Sequence, residues 1–267
     1  MSDTSKNQIM KIALCYKTEK LSDESISFIK EKVLSYGLEL DDSHPDVVLF
    51  IGGDGTFLRA VHQYYNELHK VKFIGLCKGH LGFFYSYDDS QIDALLSDLK
   101  RGEVKSESHQ LLMAKVEDEV IYAINEIRIE SPFHTLISDV YINDELLETF
   151  RGNGLVVSTS LGSTAYNKSL GGAVIYPSIS SMELSEIAPI NNTVYHSLHS
   201  SLIIDKDSEI VLKTKTDNIL LGYDHLNKNV KLASSISLRL SNKVVVLLRN
   251  KDYSYTKLLK SKFVGDK

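Results

Sequence analysis

The sequence predicts an N-terminal α/β domain with a parallel sheet, followed by a domain of mostly antiparallel β structure. Two observations carry this. Over about the first hundred residues, short apolar runs alternate with helical patterns; beyond about Ser106 the helical patterns give way to strands and turns. With 267 residues, of which 43% are hydrophobic and 24% charged, the chain can bury a sizeable core in one or two domains.

The elements follow in order. Ile12 to Tyr16 reads as a buried strand. A helix capped near Ser22 comes next, with Ile26, Ile29, Val33 and Leu34 on one face and Gly37 as its stop. The strand Val47 to Ile51, a helix from about Thr56 to Leu68 and the strand Phe73 to Leu76 continue the alternation, and a helix from about Ser90 to Leu99 ends at Gly102. Such βαβ units make a Rossmann-like parallel sheet, whose ligands gather at the carboxyl ends of the strands. Asp54 lies at such an end, and so does the segment Lys78-Gly79-His80-Leu81-Gly82-Phe83.

In the second half, Val120 to Ile124 reads as a strand and Glu126 to Glu130 alternates strictly. Val140 to Ile142 is followed by Asn143-Asp144, an acceptable two-residue hairpin turn. Ile236 to Leu240 and Val244 to Leu248 read as two further strands. The expected divisions are therefore 1–105 for the α/β domain, 106–250 for the β domain and 251–267 for a tail. In that tail Tyr255, Leu258, Leu259 and Phe263 stand at near-helical spacing, so a short docking helix is expected. The polar first eight residues are expected to be a loose extension.

Composition excludes several classes of partner. A net charge of -5 and a pI near 6.0 argue against nucleic acid or an anionic membrane. No apolar stretch approaches the roughly 18 residues of a membrane span. Cys15 and Cys77 lie in apolar strand-like runs, so buried free thiols in a reducing cytoplasm are expected.

The densest signal is Gly52-Gly53-Asp54-Gly55-Thr56, between an apolar strand and a helix. A glycine turn lets the backbone approach a ligand closely, and the following helix offers unpaired N–H groups to an anion. A carboxylate inside such a turn would repel phosphates, unless Asp54 holds a metal or takes the proton of a hydroxyl that attacks phosphorus. The alternative is a tight turn in which Asp54 or Thr56 merely caps the helix.

The second signal is Arg151-Gly152-Asn153-Gly154, followed by a strand and then by Ser158 to Gly172. That stretch interleaves hydroxyl and amide side chains with glycine and carries one aromatic ring, Tyr166. It suits an adenosine or ribose better than a core; the alternative is a polar surface loop capped by Ser163 or Thr164. Asn125-Glu126 at a strand edge is a weak signal by itself.

Taken together, these residues resemble the NAD kinases, which transfer the γ-phosphoryl of ATP to the 2′-hydroxyl of NAD's adenosine ribose. The resemblance covers most of the chain through Gly52 to Thr56, Gly79 to Phe83, Asn125-Glu126, Arg151 to Gly154, Gly162 to Tyr166 and Asp224-His225. Bacterial low-G+C members look most similar, on Tyr166 to Gly172 and Ile190-Asn191-Asn192. The resemblance implies a β-sandwich-like second domain, a site between the domains and a homotetramer or homodimer. It implies ATP, or polyphosphate in its place, as phosphoryl donor, Mg²⁺ or another divalent cation as cofactor, and NAD and NADP as ligands.

It also implies roles. Asp54 would be the catalytic base. Asn125, Ser163, Thr164, Ala165 and Tyr166 would hold the adenosine, Glu126 would bear on metal or ATP, and Asp224 and His225 would lie beside the ribose and the transferred phosphate. Gly53, Gly55, Thr56, Leu58, Lys78, Gly79, His80, Phe83, Arg151, Asn153, Ser169 and Ala188 complete the expected nucleotide-binding set. Three positions depart from the family pattern: Asn153 where Asp is usual, Ser160 where Pro is usual, and Lys78 where a small polar residue is usual. Two other functions share part of the pattern. A lipid kinase would use the same glycine turn but needs an apolar acyl pocket, and a non-catalytic NADP sensor would relax Asp54.

Overall fold

The computed structural model describes residues 9–79, 82–231 and 235–265. The N-terminal eight residues, His80 and Leu81 lie outside the described residues. The chain forms two compact units, one from the described residues of 1–108 and 245–267, the other from 109–244.

The first unit is built on a parallel sheet. Its strand Lys11–Tyr16 is flanked by Glu39–Leu40 on one side and Val47–Gly52 on the other, and Lys72–Cys77 follows. Glu39–Leu40 was not expected, and neither were two further additions. Tyr87–Asp88 pairs with the end of Lys72–Cys77, and Val246, Leu247 and Leu248 pair in parallel with Lys72, Phe73 and Ile74. The two strands expected over 236–240 and 244–248 are one, Ser235–Asn250, whose C-terminal part belongs to this unit. Ser241-Asn242-Lys243 interrupts the apolar pattern without breaking the backbone.

The helix Asp23–Ser35 is capped by Ser22, whose hydroxyl accepts from the Ser25 amide, and it buries Ile26, Ile29 and Val33. Leu34 does not share that face. At about 100° per residue it rotates off the stripe and is 55% exposed. The next helix spans Asp54–Gln63, with a 3₁₀ turn at Tyr65–Glu67, so it starts two residues earlier than expected. The reason is Gly53, which takes the N-cap position in an extended conformation with no side-chain cap. Ile92–Arg101 closes the set and ends at left-handed Gly102, φ 69°. The tail forms a Ser254-capped helix, Tyr255–Leu259, that continues as a π turn over Lys260–Val264.

The second unit contains a six-stranded sheet in the order Leu202–Asp205, Ser181–Ile187, Gly154–Thr159, Glu126–Glu130, Ile219–Tyr223 and Leu226–Val230, each neighbour antiparallel. Leu136–Ile142, Glu145–Gly152 and Ile210–Thr214 form a second antiparallel layer. One core fills the space, with Ile127, Ile129, Leu155 and Val157 from the first layer and Leu136, Val140, Phe150 and Leu212 from the second. The expected hairpin is present, with Asn143 and Asp144 both at positive φ, 49° and 69°.

Candidate active site

The strand Val47–Gly52 delivers the glycine turn. Gly52 sits at φ 141°, and a Cβ there would come within 2.8 Å of Thr56 Oγ1, so the turn needs glycine at this point. Asp54, the first residue of its helix, does not cap it. Its Oδ2 accepts from the Phe83 amide at 3.1 Å and its Oδ1 from the Phe84 amide at 3.3 Å. The Tyr85 hydroxyl donates to the Gly53 carbonyl at 2.6 Å. The segment after the next strand thus comes back onto the turn, over a bed of Phe50, Phe57 and Phe84.

Burial pushes the Asp54 carboxyl above the usual range; the two amides, with Lys262 and Arg249, pull the other way. A carboxylate held by the backbone of a distant loop is not a helix cap, so the tight-turn alternative does not describe this site. Gly53, Gly55, Lys78 and Gly79 are exposed, Thr56 and Leu58 buried, and Phe83 half-buried with its ring against Tyr255 and Phe263.

In the second unit the geometry centres on Asn125. Asp224 stands at φ 49° in the two-residue turn between Ile219–Tyr223 and Leu226–Val230. Its carboxylate accepts from the amides of Ile124 (3.0 Å) and Asn125 (2.8 Å), and its own amide donates to the Glu126 carbonyl. His225 beside it is exposed. Gly162 meets the peptide between Asn125 and Glu126: a Cβ on it would lie 2.1 Å from the Asn125 carbonyl oxygen.

The polar segment after Gly154–Thr159 is largely buried. Ser163 and Asn167 are both 0% exposed. The Ser163 hydroxyl donates to the Ser160 carbonyl and accepts from the Ile175 amide. The Asn167 amide donates to Glu183 at 2.6 Å and its oxygen accepts from the Ser185 hydroxyl. This is not the surface loop left open above. Thr164, Ala165 and Tyr166 are half-buried and Ser169 is exposed.

Three buried side-chain atoms here have no hydrogen-bond partner among the described residues: Asn125 Oδ1, Glu126 Oε2 and Ser158 Oγ. Glu126 and Ser158 are direct cross-strand neighbours. Each such atom costs about 1–3 kcal/mol, a cost that a polar ligand would relieve. Burial and the Asp224 charge push the Glu126 carboxyl up to about 7, against the pull of Arg128. The Arg128 guanidinium lies 3.8 Å from Glu126 Oε1 and 5.8 Å from the centre of the Tyr166 ring. Gly222 makes room for it, since a Cβ there would come within 2.5 Å of Arg128 Cζ. Sequence reasoning took Ser158 only as the start of the polar stretch and missed Arg128, although the strict alternation from Glu126 to Glu130 already put Glu126 and Arg128 on one face.

Arg151, Asn153 and Ala188 form a separate group. A Cβ on Gly152 would fall 2.8 Å from the Ala188 carbonyl oxygen, and Ala188 itself has φ 44°. The Arg151 guanidinium stacks on Tyr195 at 4.3 Å, and the Asn153 side chain is exposed. Cys15 and Cys77 are buried, and neither forms a disulfide among the described residues. Among the described residues no three His, Cys, Asp or Glu side chains group as a metal site, and no helix is long and apolar enough to cross a membrane.

Comparison with known proteins adds the family. Residues 4–104 match the model of the ATP-NAD kinase N-terminal domain, and 117–249 that of the ATP-NAD kinase C-terminal domain. The chain is 37% identical to NAD kinase 1 of Bacillus cereus over 97% of its length and 100% of that protein. It is 35% identical to the NAD kinase of Lactobacillus acidophilus over 96% and 98%. Two solved structures share the fold. An Archaeoglobus fulgidus NAD kinase in complex with ATP superposes with a TM-score of 0.78 at 20% identity, covering 96% of this chain and 98% of that one. Yeast NADH kinase complexed with NADH gives 0.84 at 19% identity, covering 97% and 89%. Matched by both domain models, and alike to bacterial relatives over nearly its full length, the chain belongs to the NAD kinase family.

Proposed function

We infer that this chain is an NAD kinase that phosphorylates NAD to NADP at the expense of ATP. The observation that carries this is its 37% identity to a NAD kinase along that protein's whole length. The retained Asp54 speaks against a mere sensor. The polar side chains buried between Ser158 and Asn167 speak against an acyl pocket.

The chemistry follows from the groups present. A ribose hydroxyl is a poor nucleophile. Asp54 accepts the proton of the 2′-hydroxyl as the O2′–Pγ bond forms and the bond from Pγ to the ADP oxygen breaks, a contribution of about 10²–10⁴-fold. Two backbone amides hold the carboxylate for this task. Asn125 and Ser158 supply polar atoms free to meet the adenosine and its ribose, Glu126 supplies one that would bear on ATP or its metal, and Tyr166 supplies a face for the base. Asp224 fixes the Asn125-Glu126 backbone. Ser163 is committed to backbone groups, so its part is to shape the loop rather than to bind.

Mg²⁺, or another divalent cation, neutralises charge on the phosphates when bound. Glu126, whose Oε2 has no partner among the described residues, is the carboxylate that would stand beside an ion carried by the triphosphate. Polyphosphate as donor, a homotetrameric or homodimeric assembly and a cytoplasmic location belong to the same reading. Incubating the purified protein with NAD, ATP and Mg²⁺, and following NADP with an NADP-specific dehydrogenase, tests it. NADP formation that requires all three supports the reading, and its absence contradicts it.

A further inference from the structure

Arg249, in the last strand, is 1% exposed and is the largest fully buried side chain among the described residues. Burying a guanidinium is costly unless its donors are used, and all its nitrogens are. Nε donates to Glu107 at 2.9 Å, Nη2 to the Phe83 carbonyl at 3.1 Å and Nη1 to the Tyr85 carbonyl at 3.4 Å, while the Tyr253 ring covers the group at 4.3 Å.

The Phe83 carbonyl belongs to the same peptide group as the Phe84 amide, which donates to Asp54 Oδ1. Arg249 therefore pulls on one end of a peptide whose other end grips the carboxylate. Hydrogen bonds in series polarise one another, so the cation strengthens that grip as well as fixing its direction. The neighbouring Tyr85, held through its carbonyl, uses its hydroxyl to hold Gly53, the residue before Asp54.

We propose that Arg249 is a positioning residue for Asp54: by gripping the 83–85 backbone it sets the place of the carboxylate without touching the nucleotide. The proposal rests on Asp54 being the base. Misplacing a reacting group by about 1 Å costs up to 10²-fold. Arg249→Lys keeps the charge but cannot span both carbonyls, and should lower kcat about tenfold while KM for NAD stays within about twofold. A looser grip favours the protonated carboxyl, so the acid limb of the kcat–pH profile should also move to higher pH.

Val33→Ala, a cavity elsewhere in the same unit, controls for lost stability and should leave that limb in place. Tyr85→Phe, which removes one oxygen from the same loop, should repeat the kcat loss and decides the matter if Arg249→Lys does not fold. Wild-type kcat and an unmoved acid limb in folded Arg249→Lys, or in Tyr85→Phe where that variant decides, overturn the proposal. Asp54→Asn is measured alongside. If it is inactive while Arg249→Lys behaves as wild type, only the positioning role falls. If it is fully active, the base assignment falls and the proposal with it.

Discussion

Gly82 has no side chain where Asp54 needs the space: a Cβ built on Gly82 would lie 2.0 Å from Asp54 Oδ1 and 2.6 Å from its Cγ. The glycine and the carboxylate are 28 positions apart in the sequence and form one unit in space, since the amide after Gly82 is the donor to Oδ2. Gly82→Ala should therefore leave a folded protein whose turnover has fallen by about 10²-fold, with NADP binding largely kept. Circular dichroism, calorimetric titration of NADP and the NADP-forming assay check the three parts. Normal turnover would mean that the loop gives way without disturbing the base.

The glycine turn and its importance were legible because a strand, a glycine cluster and a helix stand in unbroken order along the chain. The loop that holds Asp54 was legible only as a neighbour. Gly82 and Phe83 were seen to follow a strand end, but nothing local says that amides 83 and 84 turn towards a carboxylate. Arg249 was invisible for a related reason. The apolar run Val244 to Leu248 marks a strand but not its partner, and only the parallel pairing with Lys72 to Ile74 brings Arg249 beside Phe83. The hairpin at Asn143-Asp144 was fully local, and its two positive φ angles match the expectation. Leu34 failed for want of one more turn of argument: four apolar residues span a wider arc than the sheet covers.

Tyr166 tests the adenosine pocket. Its ring is half-buried and touches Arg128 from one side. Tyr166→Ala should cost about 1–3 kcal/mol of NADP binding, the scale of stacking on an aromatic ring. The melting temperature without ligand should fall by much less than the binding loss implies. Equal dissociation constants for the two proteins, by calorimetry, would remove the ring from the site.

Glu126 makes stability depend on pH. Its carboxyl is raised from 4.5 to about 7 by burial first and by Asp224 second. The folded state thus holds the proton more tightly than the unfolded state. Stability from this group is complete below about pH 4.5, declines as pH rises and is lost above about 7. Glu126→Gln should be more stable than the parent at pH 8, by on the order of 1–3 kcal/mol, with a flatter profile between pH 4.5 and 7. Urea denaturation across that range reads it. An unchanged slope would show that the carboxyl is not protonated in the folded protein.

The most direct test is Asp54→Asn, which keeps the shape of the side chain and removes its capacity to take a proton. Turnover of NAD with ATP and Mg²⁺ should fall by at least about 10²-fold, while calorimetry shows NADP binding largely intact. Unchanged turnover in that variant would remove Asp54 from the reaction and contradict the mechanism.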